Sequence, residues 1–525
     1  MSLGLLLEMA VAGHGDRVAL GSGADAVTFA RLADLAAGRG VVLAERGAGQ
    51  VVLLARNGPI LPHVLFAAAH AGLPLVPLNY RLSARQIHDL LTRLDSPFVV
   101  ADDDYWPVVA GQAPGMTTAE FLASAAAAGN ADAESVTDAV SADNTVFADN
   151  TGPAVLLFTS GTTATPKIVP LRHENLQAYI LGTVEFGSAA PDDAALVTVP
   201  PYHVAAISSV LSNLYAGRRV VFLPDFDPGR WLQLVRDERI TTAMVVPTML
   251  ARIVGHLDGA AADTPSLRLI SYGGARMPVP VLEKALAAFP DAGFVNAYGL
   301  TETSSTIALL GPEDHRDALA ATDPDQRRRL RSAGRAVPGI ELQIRDGAGP
   351  APGPGEVGDL WVRGPQVAGE YLGAGSVLDA DGWFPTNDRA WLDADGYLFI
   401  EGRADDTIIR GGENIAPAEI EDALLSHPAI TDAAVVGIGD DHWGQRLVAV
   451  VVRRAGADVD GEALKQHVRQ RLRGSRTPDE VVFRTELPHT ATGKVLRREV
   501  VDDLSGGRAR RSSRPRSASR PAAAE

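Results

Sequence analysis

The chain has 525 residues, which is too long for one compact core, so we expect two to four domains. Hydrophobic residues make up 46% and charged residues 21%, as is typical of a soluble globular protein. The formal net charge of −16 argues against a general nucleic-acid-binding protein, because such binding needs lysines and arginines that neutralise phosphates. The absence of cysteine excludes disulfides, thiolate metal sites and a cysteine nucleophile, and it agrees with a cytoplasmic location.

The N-terminal sequence MSLGLLLEMAVAGHGDR contains a short apolar run that Glu8 interrupts and that no basic residue precedes. This pattern favours an amphipathic helix over a signal peptide. No stretch of the chain approaches the roughly 18 apolar residues that a membrane-spanning helix needs, so we expect no membrane span.

Apolar strand-like runs alternate with helix-like runs from residue 50 to residue 102: VVLLA, ILPHVLFAAAHAG, LPLVPL, SARQIHDLLTRL and PFVVAD. The pattern resumes with AVLLFTS, AALVTVP, RRVVFLP, TTAMVVPTM and LRLISYGG. Apolar strands separated by helices are typical of parallel sheets covered on both faces. The sequence therefore predicts the α/β class, with a large N-terminal domain of layered, parallel-type sheets and helices.

Composition divides the rest of the chain. The turn cluster AGPAPGPGE, followed by the runs DLWVRG and YLFIEG, predicts a small β element. A composition shift near Arg403 leads into a short α+β unit, and the final residues, rich in Arg, Ser, Pro and Ala, predict a disordered basic tail. We therefore expect a large domain over residues 1–402, a small domain over residues 403–503 and a tail over residues 504–525.

The segment TSGTTATPK, which follows the apolar run AVLLF, is dense in hydroxyls and ends in a lysine. It lacks the second glycine of the GxxxxGK[ST] phosphate motif, and Ile168 follows the lysine. Backbone N–H groups and hydroxyls of such a turn can still wrap a polyphosphate, and a lysine adds a point charge. The alternative is a hydroxyl-rich turn between a strand and a helix. The candidate phosphate-binding residues are Thr159, Ser160, Gly161, Thr162, Thr163 and Lys167.

Four later motifs carry further polar groups. NAYGLTET ends at Thr303, GWFPTNDRAWLD contains Asp388, IEGRADDTI places Arg403 beside two aspartates, and LPHTATGKVLRREV contains Lys494 after a glycine. Each motif alone could be a capped turn, a surface acid or an exposed lysine. Their order along the chain is the specific signal.

In this order the motifs resemble those of the adenylate-forming superfamily of acyl-CoA synthetases, luciferases and nonribosomal-peptide adenylation domains. The resemblance covers roughly residues 10–500. It implies two half-reactions: a carboxylate attacks the α-phosphate of Mg-ATP to give acyl-AMP and pyrophosphate, and a nucleophile then displaces AMP. It also implies that the large domain binds ATP and the acid, and that the small C-terminal domain is mobile.

The resemblance assigns the nucleotide contacts. The loop that ends at Lys167 would clasp the β- and γ-phosphates, Thr301 would bind the α-phosphate, and Glu302 would hold Mg²⁺, a hard cation that prefers oxygen ligands. Positive groups must neutralise the charge that builds between the carboxylate and the triphosphate. Lys494 would bridge the two during adenylation, and its loss should affect the first half-reaction more than the second.

The nucleoside contacts follow from the same resemblance. Adenine would lie between Tyr298 and the glycine-rich run GGA, where glycines permit close backbone approach. Asp388 would accept both ribose hydroxyls, and Arg403 would approach the same ribose. The residues of the GGA run are Gly273, Gly274 and Ala275.

The superfamily rotates its C-terminal domain between the half-reactions about a hinge residue that matches Asp405. The polar, glycine-rich segment RGGENIAP that follows would then replace Lys494 in the active site, and such a segment suits a hinge that must absorb φ/ψ changes. The alternative is that Asp405 simply caps a helix or turn.

The acid pocket of the superfamily lies beside PPYH, so His203 would be an aromatic gate or a wall of the pocket. The alternative is a histidine that only packs. The residues that follow it are small, which leaves room for a ring or a chain, and no arginine or lysine is obvious there, which favours an acid with one carboxylate.

The acceptor is predicted from two further positions. Trp443 matches the tryptophan that lines the pantetheine channel of CoA ligases, which favours coenzyme A, although a packing role is the alternative. Against coenzyme A, the aromatic-Lys-x-Pro-Lys stretch of the superfamily is SRTPD here, and Arg476 is its main cation. Further departures from the superfamily pattern are Ala164, Ile168 and Asn387, which leave the charged catalytic groups in place.

Three functions are therefore open: an acid:CoA ligase, an adenylate-forming enzyme that delivers the acid to an amine or a carrier-protein thiol or activates an unusual oxyacid, and a non-catalytic nucleotide-binding relative. Retention of the candidate lysines, acids and arginine together favours an enzyme. We expect a monomer or a homodimer.

Overall fold

The computed structural model describes residues 2–128, 152–159, 166–347, 353–410, 413–440, 443–472, 474–490 and 493–512. The chain forms two compact units, residues 1–386 with 390–400, and residues 387–389 with 401–525. The helices of the first unit are α1 (Gly4–His14), α2 (Phe29–Glu45), α3 (Ile60–His70), α4 (Ala84–Leu91), α5 (Trp106–Val109), α6 (Thr118–Ala128), α7 (His173–Thr183), α8 (Val204–Tyr215), α9 (Pro228–Asp237), α10 (Pro247–Leu257), α11 (Val279–Ala288), α12 (Pro312–Ala320) and α13 (Pro324–Arg328).

One large sheet has the strand order β15-β14-β13-β12-β11-β9-β10-β1-β2 in the described part of the chain. Its central strands, β9 to β13, pair in parallel in the order β10-β9-β11-β12-β13, while β14 and β15 add an antiparallel edge. Its strands are β1 (Val18–Leu20), β2 (Val27–Thr28), β9 (Ala194–Val197), β10 (Arg219–Phe222), β11 (Thr242–Val245), β12 (Leu269–Gly273), β13 (Gly293–Leu300), β14 (Ser305–Leu310) and β15 (Arg335–Ala336).

A second sheet has the order β6-β5-β3-β4-β7-β8 and is parallel apart from the antiparallel pair β7 and β8. Its central strands are buried along almost their whole length, as expected for strands covered on both faces. The strands are β3 (Gln50–Leu54), β4 (Leu75–Pro77), β5 (Pro97–Ala101), β6 (Gly115–Thr117), β7 (Pro153–Thr159) and β8 (Lys167–Arg172).

Helix α3 is apolar all round and is buried along nearly its whole length. It belongs to the largest hydrophobic core, to which β3, β9 and α8 also contribute residues. A second core packs α9, α10 and α11 against β11 and β12. The predicted N-terminal helix is confirmed as α1, which buries Leu6 and Leu7 and leaves Glu8 exposed. The predicted layered α/β architecture of the large domain is also confirmed.

Two smaller sheets follow β15 along the described part of the chain. One has the order β16-β17-β20-β21, and a short hairpin pairs β18 with β19. These strands, where the sequence predicted a small β element, are β16 (Glu341–Arg345), β17 (Gly358–Arg363), β18 (Glu370–Tyr371), β19 (Gly375–Ser376), β20 (Phe384–Leu392) and β21 (Leu398–Arg403).

The second unit is an α+β body with the strand order β23-β22-β25-β24, with β26 parallel to β25. Its last helix continues to Ser512, past residue 504, where the sequence predicted the disordered tail to begin; residues 513–525 lie outside the described part. Its elements are β22 (Ile408–Arg410), β23 (Glu413–Ile415), α14 (Pro417–Leu425), β24 (Ile430–Asp440), β25 (Gly444–Arg453), α15 (Gly461–Arg469), β26 (Glu480–Arg484) and α16 (Arg497–Ser512).

No helix within the described ranges is long and apolar enough to cross a membrane.

Candidate active site

A strained turn joins β13 to β14 and carries two of the predicted site residues, Thr301 and Glu302. Ser304 and Ser305 both have positive φ, at 57° and 135°, a conformation that costs free energy for residues with a Cβ. Gly299 is required next to this turn, because a Cβ there would lie 1.8 Å from the carbonyl oxygen of Ser305. The chain thus maintains an unfavourable backbone at the place where the sequence predicted phosphate and metal contacts.

Buried hydrogen bonds stabilise this turn. The Thr303 hydroxyl donates to the carbonyl of Ser305 at 2.8 Å, and the Ser304 hydroxyl donates to the carbonyl of Gln366 at 2.8 Å. The side-chain amide of Gln366, which is 3% exposed, donates to the carbonyls of Thr303 and Thr306 at 2.9 and 2.8 Å. Sequence reasoning missed Gln366, because it lies about 60 residues further along the chain and no motif marks it.

The Glu302 carboxylate is half-buried and accepts a hydrogen bond from the hydroxyl of Tyr371 at 2.8 Å. The ammonium of Lys167 lies 4.4 Å from the centre of the same tyrosine ring. The structure therefore brings two predicted site residues to one shared partner, and that partner was also missed by sequence reasoning. The described residues contain no cluster of three or more potential metal ligands. A lone carboxylate nevertheless fits Mg²⁺, which usually takes one or two protein carboxylates and completes its shell with phosphate oxygens and water.

The predicted phosphate loop connects two antiparallel strands. Thr159 ends β7 and pairs directly with Lys167, which begins β8. A strand follows the loop, and not the helix that the alternative interpretation expected, while the phosphate-binding role of the loop stays a prediction. The predicted loop residues that lie outside the described part of the chain are Ser160, Gly161, Thr162 and Thr163.

The predicted adenine contacts lie at the carboxyl ends of neighbouring parallel strands, the usual position of ligands in open α/β sheets. Gly273 ends β12 and pairs with Ala297 of β13, and a Cβ on Gly273 would lie 2.3 Å from the Ala297 carbonyl oxygen. Gly274 has φ of 82°, which favours glycine, and Ala275 follows it. Tyr298 is the next residue of β13 and is half-buried. The parallel register thus brings the GGA run and Tyr298 together.

His203 precedes α8 and packs against Tyr202, with ring centres 4.5 Å apart. Burial, together with the nearby positive charge of Arg81, lowers the pKa of His203 to about 4, so the ring is neutral at physiological pH. Among the described residues its buried Nε2 atom has no hydrogen-bond partner. A neutral ring with an unsatisfied nitrogen suits a residue that lines a pocket better than a residue that carries a permanent charge.

The surroundings of His203 differ from the sequence interpretation in one respect. No cation was obvious near PPYH, but the structure brings Arg81 close to His203 from the loop after β4. About 120 residues separate the two along the chain, so local spacing carried no signal. Helix α8 is also linked to the strained turn, because the hydroxyls of Ser208 and Ser305 lie 3.0 Å apart.

In the second unit, Asp388 and Arg403 form an ion pair with 3.3 Å between Oδ1 and Nη1, and the Asp388 side chain is only 7% exposed. Loss of hydration lowers the pKa of Lys494, and the positive charge of Arg403 lowers it further, while Asp406 and Asp388 oppose this shift. The structure therefore brings together three residues that the sequence predicted in one site.

The backbone of Lys494 is hydrogen-bonded to Thr490. The Lys494 N–H donates to the Thr490 hydroxyl at 3.0 Å, and the Thr490 N–H donates to the Lys494 carbonyl at 2.8 Å. Asp405 belongs to a short 3-10 helix, Ala404–Asp406, and is exposed. A hinge has to change its backbone angles, and the exposed position of Asp405, outside a packed core, permits such a change.

Of the residues predicted for the acceptor side, Trp443 is exposed and Arg476 is half-buried in the second unit. Trp443 is 47% exposed, and the Arg410 guanidinium lies 5.1 Å from its ring centre. Arg476, the main cation of the SRTPD stretch, forms ion pairs with Glu413 at 3.0 Å and Glu419 at 3.2 Å. The local charge of this stretch is therefore largely compensated.

The sequence model of the AMP-binding enzyme family matches residues 7–372, and that of the AMP-binding enzyme C-terminal domain matches residues 419–494. The chain therefore belongs to the AMP-binding enzyme family, within the adenylate-forming superfamily of acid:CoA ligases, as its motifs indicated.

Individual relatives agree with this assignment. The chain is 34% identical over 491 residues to a feruloyl-CoA synthase from Amycolatopsis sp, covering 91% of this chain and 94% of the relative. It resembles o-succinylbenzoate CoA synthetase from Bacillus subtilis in complex with an acyl-adenylate intermediate, with a TM-score of 0.79, 27% identity, and coverage of 94% and 97%. It also resembles an amide bond synthetase from Marinactinospora thermotolerans, with a TM-score of 0.80, 25% identity, and coverage of 96% and 100%.

Proposed function

We propose that this protein is an AMP-forming acid:CoA ligase, which activates a carboxylic acid with ATP and transfers the acyl group to coenzyme A. The observation that carries the proposal is the convergence of Thr301, Glu302 and Lys167 around one strained turn, with the GGA run and Tyr298 at adjacent strand ends. A carboxylate, a lysine and a hydroxyl together suit a place where the charge on phosphate changes during reaction.

The first half-reaction joins an oxygen of the acid to the α-phosphorus and breaks the bond between the α-phosphorus and the oxygen that leaves with pyrophosphate. The Thr301 hydroxyl donates to the α-phosphate, and Lys167 neutralises the departing pyrophosphate. Glu302 would hold Mg²⁺, which would neutralise charge on the triphosphate oxygens. The strained turn keeps Thr301 and Glu302 in place before the nucleotide binds, so that little reorganisation is needed during reaction.

Three residues of the second unit have proposed roles in ribose binding, charge stabilisation and domain rotation. Asp388, buried and charged beside Arg403, accepts hydrogen bonds from both ribose hydroxyls. Lys494, as the protonated ammonium, stabilises the charge that builds between the acid and the α-phosphate. Asp405 is the hinge about which the second unit turns, which allows Lys494 to leave before the acceptor attacks.

The acid lies against His203 and α8. The small residues after His203 leave room for a ring or a chain, and the neutral imidazole presents an uncharged wall. We propose an acid with one carboxylate. Arg81 is the residue that would have to accommodate a second anionic group, so pairs of monoacids and diacids of equal length test this assignment.

Coenzyme A is the proposed acceptor, supported by the exposed Trp443 and by the similarity to CoA ligases. Transfer to an amine is the second candidate, supported by the ion pairs that engage Arg476 and by the similarity to an amide bond synthetase. A carrier-protein thiol is the third candidate acceptor. We also propose a cytoplasmic, monomeric or homodimeric enzyme.

One experiment separates these functions. The protein is incubated with ATP, Mg²⁺ and a panel of carboxylic acids, and pyrophosphate release and product mass are measured with and without coenzyme A. We expect pyrophosphate release and a thioester of the acid. Pyrophosphate release without a thioester would overturn the CoA-ligase assignment, and formation of an amide with an added amine would support the second candidate. ATP binding without pyrophosphate release for any acid would favour a non-catalytic protein.

A further inference from the structure

Tyr371 lies between two groups that the proposed function places on the triphosphate. Its hydroxyl donates to Oε1 of Glu302 at 2.8 Å, while its ring lies under the Lys167 ammonium, 4.4 Å from nitrogen to ring centre. A phenol that donates to a carboxylate and a ring face that attracts a cation are two different interactions made by one side chain. Tyr371 therefore contacts an acid and a base that lie about 135 residues apart in the sequence.

The backbone around Tyr371 is bonded to both sides of this arrangement. The N–H of Ala368 donates to the carbonyl of Glu302, and the N–H of Leu372 donates to the carbonyl of Ile168, each at 2.9 Å. An ion pair at 2.7 Å between Glu370 and Arg172 fastens the same short strand to the end of β8. The position of the tyrosine is thus determined jointly by the turn that carries Glu302 and by the strand that begins at Lys167.

We propose that Tyr371 is a positioning residue for adenylation, which orients the Glu302 carboxylate toward Mg²⁺ and holds the Lys167 ammonium at the triphosphate site. The inference rests on the proposed function of Glu302 and Lys167. The hydroxyl occupies one carboxylate oxygen and leaves the other for the cation. The carboxylate is then fixed in one orientation before nucleotide binds, and less side-chain entropy is lost on binding.

A matched control occurs elsewhere in the same unit. The Tyr397 hydroxyl donates to Oδ1 of Asp314 at 2.6 Å, and the Arg329 guanidinium lies 4.2 Å from its ring centre. The two tyrosines share the same chemistry, but Tyr397 and its partners are not among the residues of the candidate site. A general loss of stability on removing a phenol O–H that donates to a carboxylate should therefore be visible in Tyr397→Phe as well.

The test measures ATP affinity of the full chain by calorimetry, with Mg²⁺ and with chelator, in the absence of any acid. Tyr371→Phe should weaken ATP binding about 10-fold with Mg²⁺, as expected for losing a hydrogen bond to a charged group, and less than about 2-fold without it. Tyr397→Phe should leave both affinities unchanged. Equal losses for Tyr371→Phe with and without Mg²⁺, or equal losses for the two tyrosine variants, would overturn the proposal.

A double-mutant cycle with Glu302→Gln separates this inference from the function on which it rests. If Tyr371 acts through Glu302, the Tyr371→Phe change should have little further effect in the Glu302→Gln background. Normal Mg²⁺-dependent binding by Glu302→Gln would overturn the role of Glu302 and this inference with it. A loss in Glu302→Gln alone, with normal binding by Tyr371→Phe, would overturn only the role of Tyr371.

The ring is tested by Tyr371→Leu, which also removes the surface under Lys167. Compared with Tyr371→Phe, it should weaken Mg²⁺-free ATP binding by about a further 3-fold, in keeping with a partly exposed cation–π contact. AMP affinity should be the same in both variants, because AMP lacks the phosphates that Lys167 reaches. Equal ATP affinities of the two variants would overturn the role of the ring. A loss of AMP affinity in Tyr371→Leu that matches its loss of ATP affinity would indicate general damage to the pocket, and it would also overturn the role of the ring.

Discussion

Replacing Lys494 with alanine removes the one cation that the proposed mechanism uses in the first half-reaction and withdraws in the second. Its ammonium lies near Asp388, Asp406 and Arg403, as their effects on its pKa show. The expected result is a large loss of acyl-AMP formation and a small effect on conversion of acyl-AMP to thioester.

The size of the loss follows from the role of a single preorganised donor. Removing one group that stabilises developing charge costs about 100- to 1000-fold in rate, or roughly 3–4 kcal/mol. The second half-reaction should change by less than about 3-fold, because the mechanism does not use Lys494 there. The proposed mechanism also uses the positive charges of Lys167 and Arg403, so we do not expect complete loss.

The charge of Lys494 also predicts a pH dependence. Loss of hydration, and then the charge of Arg403, lower the pKa of Lys494 below its ordinary value of 10.5. The protonated form is the active one, so adenylation should fall as pH rises through this lowered pKa. The decline should therefore begin at a lower pH than that of an ordinary lysine, and it should be absent from the residual activity of Lys494→Ala.

The assay is exchange of labelled pyrophosphate into ATP for the first half-reaction, and thioester formation from synthetic acyl-AMP for the second. Lys465→Ala is the matched control, since Lys465 belongs to the same unit but pairs with Glu462 at 2.8 Å on the surface. Full exchange by Lys494→Ala, or equal losses in both half-reactions, would refute the reasoning.

Further predictions concern the hinge, the strained turn and acid stability. Asp405→Pro fixes φ at the proposed hinge, so acyl-AMP formation should persist within about 3-fold while thioester formation falls at least 10-fold. Gly299→Ala should lower the adenylation rate at least about 10-fold, because the added Cβ would lie 1.8 Å from a carbonyl oxygen. Gly255→Ala is the control: its Cβ would meet nothing within 4 Å in a helix, so it should raise the free energy of unfolding in urea by about 0.5–1 kcal/mol. Burial lowers the pKa of His63 to about 3 and that of His173 to about 4. As pH falls below 6.5, the unfolded chain binds protons before the folded chain does, so the free energy of unfolding should drop between pH 6.5 and 4 by on the order of 3 kcal/mol per histidine. The drop should be smaller in His173→Gln. Constant stability over that range would contradict the burial of neutral histidines.

Several parts of the molecule could be predicted from the sequence because their chemistry is local. Apolar strand runs separated by helices predicted the layered sheets, and the GGA run and NAYGLTET follow or end strands that pair in parallel, so both reach the same edge of the sheet. The ion pair of Asp388 with Arg403 also joins residues from two motifs that the sequence had already singled out. In these cases the signal was carried by a few residues within one turn or strand.

The supporting contacts could not be predicted in this way. Gln366 and Tyr371 stabilise a turn about 60 to 70 residues before them, and Arg81 lies near a histidine about 120 residues after it. Glutamine, tyrosine and arginine are ordinary in loops and short strands, so nothing in their local spacing marks them. Their role depends on which strands pair and in what register.

The sequence by itself determined the class of fold. Through the order of its motifs and their resemblance to a known superfamily, it also predicted the adenylate-forming chemistry and the candidate residues for the nucleotide, because short motifs of hydroxyls, carboxylates and lysines carry that chemistry. The tertiary structure decided how those residues are held. The packing of β18 against β8, and the bonds from residues 366–368 to the strained turn, bring Tyr371 to both Lys167 and Glu302. Such contacts arise only when distant segments pack together, and the free energy that determines them is spread over the whole core rather than over any one motif.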